Sequence, residues 1–141
     1  MDEAMIRIDP LDFEGNVAIG LKLPLNNSNN SFFALNYTSW EQLRSNLKNL
    51  LLTEKGERYM LPDYGAGLRK FIFEPNDDIT LSVIEEYITE TVAKWMPRVN
   101  INSVDISKNE RNEHQLNVSI SFSDKYDESN NDVLTIDFIT M

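Results

Sequence analysis

The spacing of apolar residues changes abruptly at Pro97, and that change sets the fold class. Ahead of it, Leu81, Ile84, Ile88, Val92 and Trp95 recur every three or four positions, which is one face of an α-helix. Proline has no amide proton and restricts the residue before it, so Pro97 stops the helix, and the pattern predicts it over Ile79 to Trp95 with Asp77 or Asp78 as its N-cap. Beyond Pro97, Leu116, Val118, Ile120 and Phe122 alternate without a break, the period of a half-buried strand, and Val99 to Ile106 and Val133 to Ile139 read as two more strands. Helices gathered in the middle and strands at the end make an α+β chain rather than an alternating α/β one. At 141 residues the expectation is a single domain over 1–141, with two main helices packed on a largely antiparallel sheet of three to four strands.

The first of those helices is announced by Trp40, Leu43, Leu47, Leu50 and Leu51, an apolar stripe ending near Leu52. Two overlapping capping-box patterns precede it, Thr38-x-x-Glu41 and Ser39-x-x-Gln42. Thr53 to Gly56 turns the chain out of the helix, Pro62, Gly65 and Gly67 keep the next stretch irregular, and Leu68, Phe71 and Ile72 suggest a short helical turn or two. Near the N-terminus, Val17, Ile19, Leu21, Leu23 and Leu25 fall on every second position, a strand that Pro24 ends or confines to an edge, and Asn26 to Ser31 is a polar loop. Lys108 to His114 and Asp124 to Asp132 read as long charged loops that project from the sheet.

A net charge of −10 excludes binding that rests on neutralised phosphates, and it opposes anionic membrane surfaces while tolerating cationic protein partners. The charge is uneven, since residues 41–73 carry a net +2 and the remainder −12. Absence of cysteine removes disulfides, thiolate zinc sites and cysteine nucleophiles together. The acidic opening lacks the pattern of a signal peptide and no apolar run is long enough for a membrane span, so a soluble protein made in a cytoplasm is expected.

Little in the chain points to catalysis. His114 is the only histidine and sits in a charged stretch, where a solvated role is expected. The groups Asp77-Asp78, Glu85-Glu86 and Asp124, Asp127, Glu128 lack the spacing of a calcium loop and read as helix caps or solvated faces. Gly65-Ala-Gly67 has Lys70 where a phosphate-binding fingerprint needs a third small residue. A glycosidase would need two carboxylates across a cleft; Glu57 and Asp63, flanking the glycines, are the least unsuitable pair, against the plainer reading that Glu57 pairs with a basic neighbour to hold the turn. No catalytic residue, metal, cofactor or small-molecule substrate is therefore expected.

The informative run is Leu50-Leu-Leu-Thr-Glu-Lys-Gly-Glu-Arg58, then Leu61-Pro-Asp-Tyr-Gly65, Leu68 and Phe71-Ile-Phe-Glu-Pro75. It closely resembles the baseplate wedge family of contractile phage tails, shared with the wedge component of type VI secretion and related injection machines. The likeness lies in the helix ending Leu-Leu-Thr, the turn at Gly56, Glu57 and Arg58, the Pro62 to Gly65 loop with Tyr64, and Phe73-Glu74. A second stretch agrees with the first: where the family has Glu-Pro-Arg after its next helix, this chain has Met96-Pro97-Arg98, so the glutamate is lost. The resemblance covers about residues 38–140 and leaves 1–37 as an N-terminal elaboration.

Despite the family's lysozyme-like label, the resemblance implies a structural adaptor, incorporated into the tail baseplate, that binds the helical core bundle of other wedge proteins and the first ring of contractile sheath subunits, nucleating sheath assembly. It makes Gly56, Glu57, Arg58, Tyr64, Gly65, Pro97 and Arg98 candidate partner-binding residues. Plainer roles stand beside these: the glycines meet backbone demands, Arg58 pairs with Glu57 or Glu54, Pro97 ends a helix, and Arg98 either caps helix carbonyls or serves an interface. The last strand, with Leu134, Ile136 and Phe138, is the candidate edge for pairing with a strand of a neighbouring chain. Two competing expectations are a tail-associated peptidoglycan glycosidase acting through Glu57 and an unrelated soluble binding module.

Overall fold

The structure, a computed structural model, describes residues 10–25, 33–75, 77–109 and 112–139. A short 3-10 turn, Pro10–Phe13, leads into β1 (Gly20–Leu21), which pairs antiparallel with β2 (Leu35–Asn36). Two long helices follow, α1 (Ser39–Leu52) and α2 (Asp78–Trp95), with a 3-10 segment, Leu68–Phe73, between them. The chain then runs through β3 (Val99–Asn109), β4 (Asn112–Asp124) and β5 (Asp127–Ile139), an antiparallel sheet in the order β3-β4-β5. This is the α+β arrangement expected, with three strands in the main sheet and a separate two-stranded ribbon.

Both helices begin where the local chemistry asks. Thr38 accepts the Glu41 amide at 3.2 Å, and the Glu41 carboxylate returns to the Tyr37 amide at 3.0 Å, so the first of the two overlapping capping patterns forms. Ser39, of the second pattern, instead donates its amide and hydroxyl to Asp12, tying the N-terminal turn to the helix start. Asp77 caps α2 by accepting the Thr80 amide at 2.7 Å.

The buried faces are those the spacing marked. Leu43, Leu47, Leu50 and Leu51 of α1 and Ile84, Ile88 and Val92 of α2 pack with Leu116, Val118, Ile120 and Phe122 of β4 and Leu134, Ile136 and Phe138 of β5. Trp40 lies against Phe122 with ring centroids 5.3 Å apart. Each such aliphatic side chain withdrawn from water contributes about 1.5–3 kcal/mol, so one continuous core sets the layer order of helices on sheet.

Three expectations are corrected. The strand over Val17–Leu25 shrinks to Gly20–Leu21, and Val17, Leu21 and Leu25 are exposed, because one short neighbour supplies only two ladder residues for it. The stretch Asp124–Asp132 is no projecting loop: β4 turns tightly at Lys125-Tyr126, Asp124 pairs with Asp127 and Ser123 with Asn131, and only residues 128–130 bulge out. Lys108–His114 is likewise mostly strand, with β3 reaching Asn109 and β4 starting at Asn112. Charge made both stretches look like loops, but cross-strand pairing decides ladder formation. The polar loop expected over Asn26–Ser31 lies outside the described residues, as do the side chain of His114 and residues 110–111.

Candidate functional site

The segment between α1 and the 3-10 turn is stitched back onto the helix end it leaves. Thr53 closes α1 by donating its amide to the Asn49 carbonyl, Ala66 donates to the Leu50 carbonyl at 3.0 Å, and Gly67 donates to the Thr53 carbonyl at 3.1 Å. Carbonyls left without helical partners are thus satisfied by the returning chain. Gly56, with φ 87, donates to the Pro62 carbonyl at 2.7 Å, closing the loop's neck. Gly65 has φ 112, and a side chain there would collide with the Thr53 carbonyl, so this glycine is demanded by both conformation and space.

Side chains on this loop take partners that differ from the expected ones. The Glu57 carboxylate accepts the Glu54 amide at 3.0 Å, a turn-closing bond rather than an ion pair. The Arg58 guanidinium stacks over the Tyr64 ring at 3.8 Å, not on Glu57 or Glu54, and Tyr64 meets Trp95 of α2 edge-on at 5.2 Å. Farther along, Lys55 and Lys70 flank the Tyr87 ring at 5.1 and 4.2 Å. Such cation–aromatic contacts are each worth about 0.5–2 kcal/mol and leave the cation's outward side open to a partner. At the loop tip Tyr59 and Met60 are 95% and 84% exposed, two large apolar side chains that the sequence reading passed over.

Arg98 is elsewhere and otherwise employed. Its guanidinium grips Asp124 through Nε at 3.1 and 3.0 Å and through a second nitrogen at 2.6 Å, while the Tyr126 amide donates to the same carboxylate at 3.0 Å. Met96 and Val99 close the turn around Pro97-Arg98, and the Lys125 amide donates to the Arg98 carbonyl at 2.9 Å. Its side chain joins the end of α2 to the β4–β5 turn rather than capping the carbonyls of α2. Asp124, read as part of a solvated acidic group, is 2% exposed. Burial alone would push its carboxyl up, but hydrogen bonds from Arg98 and Tyr126, with the guanidinium charge, hold it below the ordinary carboxylate range. The bond to Asp124 in turn raises the Arg98 pKa. The spacing Arg98 to Asp124 has no local signature, which is why sequence reasoning missed the pair.

On β5, the side chains of Leu134, Ile136 and Phe138 are 4%, 4% and 3% exposed, so they belong to the core and a neighbouring chain would meet the strand's backbone instead. The Val133 amide is taken by Asp132 at 2.8 Å, and the Thr135 hydroxyl lies 3.1 Å from that of Ser119 across the ladder, the close approach of a pair whose main-chain groups point away from each other. By alternation, the N–H and C=O of Val133, Thr135 and Asp137 face the open edge. Among the described residues no group of three acidic or imidazole side chains could hold a metal ion, and no helix is long and apolar enough to cross a membrane. Glu57 and Asp63 are both exposed on the loop.

The family model described as baseplate wedge protein gp25 matches residues 39–127, from the start of α1 to the start of β5. Among solved structures, a crystal structure of a Geobacter sulfurreducens protein provisionally named a tail lysozyme is similar, with 27% identity, 77% of this chain and 96% of that chain covered, and a TM-score of 0.66. A chain of the anti-feeding prophage baseplate is 24% identical over 84% of this chain and 82% of its own, with a TM-score of 0.55, a likeness of fold. No curated protein matches the chain.

Proposed function

The chain belongs to the baseplate wedge protein gp25 family, and from that premise we propose that it is a structural part of the baseplate of a contractile tail or injection machine, joining wedge proteins to the first ring of sheath subunits and nucleating sheath assembly. The family match over residues 39–127 carries the reading, since it takes in the helix end, the Gly56-Glu57-Arg58 turn and the Pro97-Arg98 element.

Two surfaces support it. The loop tip, with Tyr59 and Met60 in water beside the stacked Arg58, combines apolar area with a guanidinium, the composition of protein interface centres. It is the face offered to the helical core bundle. Arg58 is the guanidinium free to contribute there, because Arg98 is engaged by Asp124. The second surface is the outer edge of β5, whose outward main-chain groups at Thr135 and Asp137 can add a strand from a sheath subunit. Glu57 and Asp63 stand on the exposed loop, and the Glu57 carboxylate is bound to its own turn, an arrangement suited to fixing backbone rather than to cleaving a glycosidic bond.

Co-expression with the products of adjacent genes, tagged recovery and sizing test the proposal. A stoichiometric complex is expected, weakened by the paired change Tyr59→Ala and Met60→Ala, on which sheath subunits fail to assemble when Thr135→Pro removes an outward N–H. A monomer that ignores every neighbour, or sheath assembly untouched by Thr135→Pro in a folded protein, would refute it. The hydrolase alternative, kept in view by the name of the Geobacter relative, predicts peptidoglycan cleavage that Glu57→Gln abolishes.

A further inference from the structure

A cleft of about 280 Å³ opens where the N-terminal ribbon, α1 and the outer edge of β5 meet. On a chain of net charge −10, three cations line it, Lys22, Arg44 and Lys48, against one acid, Glu41. Glu41 is already engaged by the Tyr37 amide, and Arg44 reaches Asp132 at 3.2 Å with half its side chain in water. Neither Lys22 nor Lys48 has an ion-pair partner among the described residues.

Asn36 lies in the wall of the cleft, fully buried. Its amide nitrogen lies 2.9 Å from Ser45 Oγ and 3.0 Å from both Gln42 Oε1 and the Leu21 carbonyl, so its two N–H groups are shared among three acceptors while Oδ1 is left with no donor. A buried carbonyl in that state costs about 1–3 kcal/mol. Thr135 completes the lining, and its main-chain N–H and C=O face outward.

These groups ask for different things at once: the lysines for negative charge, Asn36 Oδ1 for a donor, and Thr135 for a donor and an acceptor spaced as in a strand. An inorganic anion meets only the first demand. We propose that the cleft docks an extended acidic segment of a partner protein, its backbone pairing with β5 at Thr135, an amide donating to Asn36 Oδ1, and its carboxylates lying against Lys22 and Lys48. The volume falls just below the roughly 300–1,000 Å³ of small-molecule sites and suits a short length of chain. The inference rests on β5 serving as a docking edge, and it adds what that edge selects. Lys22 and Asn36 stand outside the family-matched residues 39–127 and Lys48 within them, so part of the selectivity comes from this chain's own N-terminal ribbon.

Isotope-labelled full-length protein titrated with the peptide acetyl-(Val-Glu)3-amide, and separately with acetyl-(Val-Lys)3-amide, tests this by NMR. Saturable shifts at the Thr135 main-chain amide and the Asn36 side-chain amide are expected with the glutamate peptide alone. Affinity should fall about tenfold or more in a folded Lys22→Glu, Lys48→Glu variant, and it should weaken as salt is raised. Equal binding of both peptides, or no shift at these amides with the glutamate peptide, overturns the proposal. If the glutamate peptide fails while Thr135→Pro still blocks sheath assembly, the inference falls and the baseplate reading stands. If the peptide binds while Thr135→Pro leaves assembly intact, the inference stands and the role given to β5 in sheath assembly falls.

Discussion

Replacing Arg98 by Ala should destabilise the protein by about 2–4 kcal/mol, and the structure sets that range. The guanidinium supplies three of the four hydrogen bonds to Asp124, whose side chain is 2% exposed. Deleting one partner of a buried ion pair costs about 3–5 kcal/mol, because the other charge is stranded. Here the Arg98 side chain is 35% exposed, so water can reach the vacated space and part of the penalty is screened. Asp124→Ala strands only the better-solvated partner, and about 1–2 kcal/mol is expected. The double variant should be less destabilised than the sum of the two, with a coupling of about 1.5–3 kcal/mol. For a chain of this size the Arg98→Ala change corresponds to a Tm drop of roughly 6–15 °C. Urea unfolding followed by Trp40 and Trp95 fluorescence, fitted with a common slope, gives all four free energies. Additivity within about 0.5 kcal/mol would refute the pairing. Lost partner binding in Arg98→Ala would then reflect a loosened α2–β4 junction, so loop-tip substitutions are the cleaner probe of the interface.

The same pair sets an acid response. Because the folded state holds the Asp124 carboxyl below its ordinary value, the stability it provides is complete above about pH 4 and is lost as pH falls through the folded value; Asp124→Asn should flatten that acid limb in pH-dependent urea midpoints. Gly65→Ala, at φ 112 with the Thr53 carbonyl in the way, should cost roughly 2–4 kcal/mol, against about 1 kcal/mol for Gly56→Ala, where φ is 87 but nothing stands within 4 Å; similar thermal losses at the two sites would count against the close approach. Leu50→Ala, at 0% exposure in the core, should cost about 2–5 kcal/mol in the same unfolding assay, and a loss below 1 kcal/mol would contradict its burial.

The candidate site was legible only in part. Gly56, Gly65 and the turn between them could be marked from composition, because a positive φ leaves a glycine behind it. What Arg58 touches could not. Glu54 and Glu57 are nearer in sequence, yet the guanidinium lies on Tyr64, which α2 holds in place through Trp95. Asp124 was misread for the same reason: in sequence it sits among charged neighbours, and only the fold brings it under Arg98.

Apolar spacing by itself determined the two helices, their buried faces and the strand period beyond Pro97, since the geometry of one element repeats over a few residues and writes itself into local spacing. The sequence also carried the likeness to the family, through the resemblance of its local features from Leu50 to Pro75. Tertiary structure alone decided the length of β4 and β5 through charged stretches, the pairing of residues 26 positions apart at Arg98 and Asp124, and the meeting of Lys22, Asn36, Lys48 and Thr135 around one cleft. Those outcomes are choices among distant partners, and the energy that makes them comes from burial and pairing that exist only once the chain has folded.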